Sequence, residues 1–232
     1  MSGREADFAR PCRPFYADGD YYYYLILAKS PYIFYYQFRS RIALQEKFMA
    51  KILVISGHPD YKNSVANRAI LDDLHRSVPE AEIVYLDALY PDFRIDVPRE
   101  QERVVGADII VFEFPFWWFG SPSLMHRYVE DVFVHGFAYG SGGNALKGKK
   151  FILSFTTGAP EAEYSPTGAE GFALESLLPP FLAMAKFVKL DYVGYVVSYG
   201  MALIDREDKK ARDAIMAKAR IHAEKLAALI NG

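Results

Sequence analysis

Cysteine is almost absent from the 232 residues. Cys12 stands alone, so no disulfide can form within the chain and no CxxC pair can hold a metal or run dithiol chemistry. A lone thiol fits a reducing cytoplasm. An excess of one charge is missing too. The 27 basic and 29 acidic residues give a formal net charge of -2 with no dense basic run, which removes the electrostatic case for a nucleic-acid partner. No apolar run is long and clean enough to read as a membrane span: the aromatic stretch 21–38 carries Lys29, Ser30 and Pro31 at its centre. It also makes a poor signal peptide, with a weak basic start and no clean cleavage site. The P-loop lysine signature and GxGxxG are both lacking, against a nucleoside triphosphatase and a classical dinucleotide site. His75, His126, His135 and His222 fall at no ligand spacing such as HExxH, so no metal site is expected.

What remains is 51% hydrophobic and 24% charged, enough for one well-buried domain. Residues 1–48 differ from everything after them. They read as a surface-packing arm, a disordered extension or an upstream segment set by the choice of start codon. The last is favoured because Met49 is followed at once by AKILVISGHP, which opens a folded domain as a first strand would. The expected boundaries are an extension over 1–48, outside the catalytic fold, and one domain over 49–232.

Within that domain, 51–56 is a continuous β-branched run suited to a central parallel strand. It empties into GHPDYKNSVAN, where Asn63 or Ser64 can cap a helix to about Ser77 and leave free N–H groups for an anion. A plain cap at Ser64 and a turn-filling His58 would explain the same residues. Further strands are expected over 82–86, 109–112, 149–156 and 192–199, with helices between them, apolar helical spacing over 174–187 and a closing amphipathic helix over 207–230. After the third strand comes FPFWWFG, four consecutive rings at 116–119; neighbouring side chains diverge, so one or two must be exposed.

Alternating strands and helices give an α/β doubly wound sheet, and five parallel strands suit the flavodoxin-like order 2-1-3-4-5 with helices on both faces. In that order the exits of strands one, three and four converge. A phosphate-binding first loop beside two ring-flanking loops describes a phosphorylated planar heterocycle, flavin mononucleotide. FMN is preferred to FAD because only one helix follows Tyr199, with no evident adenosine pocket.

HPDYKNSVAN, LYPDFRID, the FPFWWFG loop, RYVEDVFVHGFAYGSGGNALKGK and TTG together resemble the flavodoxin-like NAD(P)H:quinone oxidoreductases. The likeness is nearest to the KefF type, ancillary subunits of glutathione-gated potassium efflux systems. It runs from Lys51 to about Gly232 and leaves 1–48 uncovered. It implies that His58 and Ser64, Val65, Ala66 and Asn67 hold the flavin phosphate. It implies too that Phe116, Trp117, Trp118 and Phe119 flank the ring, and that Thr157, Gly158, Ala159 and Pro160 hold its polar edge. Tyr164 matches a tyrosine that such proteins place over the flavin, and Glu170 stands where better-studied members have a histidine. A carboxylate there needs a raised pKa to donate a proton, and Pro160 has no N–H to offer.

The implied activity is a two-electron NAD(P)H:quinone reductase in two half-reactions at one site: hydride from NAD(P)H to flavin N5, then reduction of a quinone in the same slot. Homodimers are implied, with Phe137 and Tyr139 reaching a partner's site. The alternative is a regulatory flavoprotein that binds a potassium antiporter, cytoplasmic and reaching the inner membrane only through that partner. A one-electron flavodoxin carrier fits less well, because such carriers are strongly acidic.

Overall fold

The structure is a computed structural model and describes residues 50–203, 205 and 207–232. The extension expected over 1–48 lies outside the described residues. Five strands, β1 (Ile52–Ser56), β2 (Glu82–Tyr85), β3 (Ile109–Pro115), β4 (Lys150–Thr156) and β5 (Asp191–Ser198), form one parallel sheet in the order β2-β1-β3-β4-β5. This is the topology expected from the alternation of elements.

Every residue of β1 and β3 is buried, as strands covered on both faces must be. On one face, α1 (Ala66–Ser77) and α5 (Lys209–Asn231) cover Ile52, Val54, Ile109, Val111 and Ile152 with Leu71, Leu74, Ala223 and Leu226. On the other, α2 (Val97–Gly106), α3 (Ser123–Val132) and α4 (Pro179–Phe187) enclose Leu53, Ile55, Ile110, Phe112, Phe114, Leu153 and Phe155. Asp96 caps α2 by accepting from Arg99 N–H, and Asp208 does the same for α5 from Ala211 N–H.

Three boundaries differ from expectation. The third strand runs to Pro115 rather than stopping at Phe112, because Glu113 finds buried hydrogen-bond partners and Pro115 sits at the strand's last position. The second strand ends at Tyr85, since Leu86 opens a one-turn helix, Leu86–Leu89. The helical spacing over 174–187 is divided: a 3-10 turn, Leu174–Leu177, precedes α4, which starts at the Pro179–Pro180 pair.

Candidate functional site

The first loop leaves β1 at Gly57, whose N–H donates to Glu113 O at 2.8 Å. A side chain here would meet Met125 Cε at 2.8 Å, so the close approach of α3 requires glycine. His58 is buried, and its Nδ1 accepts the Asp60 N–H at 3.0 Å. That bond puts the proton of the neutral ring on Nε2, the nitrogen left to donate. Burial lowers the His58 pKa, with Asp87 and then Asp60 opposing, so the ring is neutral at pH 7 and offers one N–H donor.

Helix α1 begins three residues after the 3-10 turn Tyr61–Asn63. Ser64 fulfils its expected capping role: its Oγ accepts Asn67 N–H at 3.2 Å. The remaining first-turn N–H groups face the loop with the positive end of the helix dipole. Here the chain closes a hollow of about 380 Å³ lined by His58, Ser64, Val65, Ala66, Asn67, Trp117, Thr157 and Gly158 among others.

A second hollow, about 440 Å³, is lined by Phe116, Trp117, Trp118, Phe119, Gly158, Ala159, Tyr164 and Glu170. The two share Trp117 and Gly158, so a polar, donor-rich space runs into an aromatic one. The four rings do diverge. Phe116 is buried, its ring 5.2 Å from Phe155, while Trp117 and Phe119 are half exposed and Trp118 is 93% exposed. Trp118 and Phe119 both hold positive φ, 49° and 64°, a backbone that bulky side chains rarely adopt and that turns the two rings outward. Trp117 meets the His58 ring edge-on at 5.7 Å, tying the first loop to the aromatic one.

In the loop after β4, Thr157 N–H is committed to Ser198 O at 2.9 Å, and Thr157 Oγ1 donates to Ala159 O at 2.8 Å. The N–H groups of that turn left for a ligand are those of Gly158 and Ala159. Pro160 lines neither hollow and precedes the 3-10 turn Glu161–Glu163. Tyr164 is held above the second hollow, 5.7 Å from the Tyr199 ring. Burial raises its pKa, the Glu170 charge raises it further and the Thr157 hydroxyl partly offsets both, so it is a protonated donor at neutral pH. Glu170 lies beside it on a backbone fixed by its N–H to Glu163 O at 3.2 Å. Phe137 and Tyr139, expected to serve a partner, pack in part on their own core, with Tyr139 4.9 Å from Phe187.

The expected residues from the first, third and fourth strand exits, apart from Pro160, therefore meet. Sequence reasoning missed Met201, Ala202 and Leu203, which follow β5 and close the first hollow, and Glu113, which lies behind it. The only advance signal for Glu113 was a lone carboxylate within the apolar run FEFP.

Loops converging at the carboxyl end of a 2-1-3-4-5 parallel sheet define a flavodoxin-like protein. The chain belongs to that family: the model described as flavodoxin-like fold matches residues 50–223. Over 162 residues the chain is 35% identical to the uncharacterized NAD(P)H oxidoreductase YrkL of Bacillus subtilis, spanning 69% of this chain and 91% of that protein. It is 36% identical over 175 residues to KefF, a glutathione-regulated potassium-efflux system ancillary protein of an Enterobacter species, spanning 75% and 94%. Among solved structures it resembles general stress protein 14 of Treponema denticola in complex with FMN, with 33% identity, a TM-score of 0.69 and coverage of 77% of this chain and 99% of that one. Among the described residues no helix is long and apolar enough to cross a membrane.

Proposed function

We propose that the chain is an FMN-dependent NAD(P)H oxidoreductase that reduces a quinone by two electrons, with residues 49–232 forming the catalytic domain. The observation that carries this reading is the junction of the two hollows at Trp117 and Gly158. A phosphate at one end and a flat ring at the other match such a space, whose volume suits a small cofactor. The donor set fits the group: first-turn N–H groups of α1, the Ser64 hydroxyl and His58 Nε2–H for the phosphate, the Trp117 and Phe119 faces for the ring, Gly158 and Ala159 N–H for its polar edge. Bound there, FMN would supply hydride chemistry between the nicotinamide and the quinone. The likeness to the NAD(P)H oxidoreductase YrkL and to the FMN-bound general stress protein 14 is consistent with this donor and cofactor.

The protein's own contribution is orientation and proton placement. The aromatic loop holds flat reactants face to face and excludes water from one side. Tyr164, kept protonated, donates from Oη to the acceptor oxygen as negative charge develops there. Glu170 increases that tyrosine's hold on its proton. The exposed Trp118 and Phe119, beside the second hollow, offer an apolar surface suited to a second copy of the chain.

Removing the Tyr164 hydroxyl is expected to lower kcat/KM for quinone about tenfold, the worth of one hydrogen bond to a charging oxygen, with FMN affinity unchanged. Phe in place of Tyr164, assayed in both ways, checks this. Gly168→Ala tests the loop that carries Tyr164 and Glu170, because an added Cβ would collide with the Glu163 carbonyl. Turnover is expected to drop about tenfold and the thermal midpoint to fall with it, since the collision is with backbone that must move and carries Tyr164 with it. Initial-velocity measurements test the two-step reaction itself: parallel double-reciprocal lines for NADPH at several quinone concentrations support it, and intersecting lines refute it.

The likeness to KefF favours a second role, docking on a potassium efflux antiporter with redox activity secondary. Co-purification with such an antiporter from membranes supports it, whatever the turnover.

A further inference from the structure

Glu113 is a carboxyl in the middle of buried β3, and the proposed reaction makes no use of it. Its side chain is wholly buried. Asn67 Nδ2 donates to its Oε1 at 2.6 Å, and Ser56 Oγ lies 3.0 Å from its Oε2. Asn67 Oδ1 in turn accepts from Thr156 Oγ1 at 3.2 Å, and Asn67 N–H reaches Ser64 Oγ at 3.2 Å. One carboxyl therefore ties the ends of β1, β3 and β4 to the first turn of α1. Asn67 and Thr156 both line the first hollow, so Glu113 stands directly behind its wall.

The titratable and charged groups nearest this face are His58 with Asp60 on the first loop, Asp87 after β2, Tyr61 against Tyr85, Asp72 of α1, and His222 of α5 with Lys225 near it; His222 bridges Ser154 and Ser198 at 2.9 Å each. Burial keeps both imidazoles neutral, and Tyr61 holds its proton more tightly than usual, again chiefly through burial. Among the described residues no cation pairs with Glu113. Burial accordingly pushes its pKa up to about 8, against smaller opposing effects of Asn67 and Ser56. A neutral acid also satisfies the geometry: Oε1 accepts from Asn67 and Oε2–H donates to Ser56 Oγ.

We propose that Glu113 is a proton-carrying positioning residue, which as a neutral acid fixes Asn67 and the first turn of α1 for a phosphorylated flavin and on ionising weakens that binding. This rests on the FMN reading above. A carboxylate behind Asn67 would set a second negative charge against the phosphate in a poorly screened interior. By reciprocity, a bound phosphate draws the proton onto Glu113, so binding and proton uptake are coupled.

The test is an FMN titration of the full chain freed of flavin, followed by flavin fluorescence from about pH 7 to about pH 9.5, above the phosphate's own second ionisation near 6. Wild-type affinity is expected to weaken toward tenfold per pH unit above about 8. Glu113→Gln keeps both hydrogen bonds without a titrating proton, and its affinity is expected to stay flat at the wild type's neutral-pH value. A flat wild-type profile, or a Gln variant that keeps the slope, overturns the proposal and leaves FMN binding intact. Failure of FMN to bind at any pH overturns the reading beneath it as well. Should the variant not fold, wild-type calorimetry in buffers of different ionisation enthalpy decides: at about pH 8.5 each FMN is expected to take up a large fraction of one proton, and no uptake overturns the proposal.

Discussion

Folding stability is expected to fall by roughly 2 kcal/mol as pH rises from about 6.5 to about 8, the interval in which Glu113 alone among the strongly buried groups titrates. Its folded pKa lies above the ordinary 4.5, so the folded state holds a proton that the unfolded chain releases, and stability drains away between about 4.5 and about 8. His222 acts in the opposite sense. Burial depresses it from 6.5 to about 3, so stability rises with pH across that range. From 4.5 to 6.5 these two slopes cancel, and His58, also lowered by burial, adds a rise. Above 6.5 only the Glu113 slope remains, and urea unfolding at several pH values should show a rise to about pH 6.5 followed by a decline. Glu113→Gln should remove the decline and leave the low-pH rise. A wild type whose stability is level from pH 6.5 to pH 8 would mean that the carboxyl ionises freely where it sits.

The second large effect is expected at Asn67. Its amide is 2% exposed and serves Glu113 and Thr156 at once. Asn67→Ala removes both bonds, and two buried polar groups without partners cost about 2–4 kcal/mol together. FMN affinity should fall about tenfold as well, since the amide also shapes the first turn of α1. Asn67→Asp sharpens the test. It sets a second carboxyl against Glu113, and two such groups in contact cannot both ionise. That variant should be less stable than Asn67→Ala at pH 8 and recover at pH 5, where the pair shares a proton. Unfolding curves at the two pH values check the reversal. Equal losses at both would show that Asn67 acts through packing alone.

The fold was largely legible because β1 and the start of β3 are apolar runs of the kind a doubly covered parallel sheet buries. Strand alternation implies the order, and that order brings the loops carrying His58, Ser64, Asn67, Trp117, Thr157 and Gly158 together. What escaped were features set by long-range partners. Glu113 and Pro115 look like strand terminators locally, yet Glu113 is satisfied by Ser56 and Asn67, 57 and 46 residues away. The Pro179–Pro180 pair divides a stretch whose apolar spacing alone reads as one helix. Met201 to Leu203 join the site through Met201 N–H to Thr157 O at 2.8 Å, a contact that no local pattern announces. Four adjacent rings could be read as divergent, but which one turned inward depended on Phe155 across the sheet.

The visible spectrum of the purified protein, followed without oxygen as NADPH and then a soluble quinone are added, tests the central claim most directly. The two adjoining hollows predict a flavin band that bleaches with the nicotinamide and returns with the quinone. A protein that stays colourless after FMN is supplied, or a bound flavin indifferent to both NADPH and NADH, would contradict it.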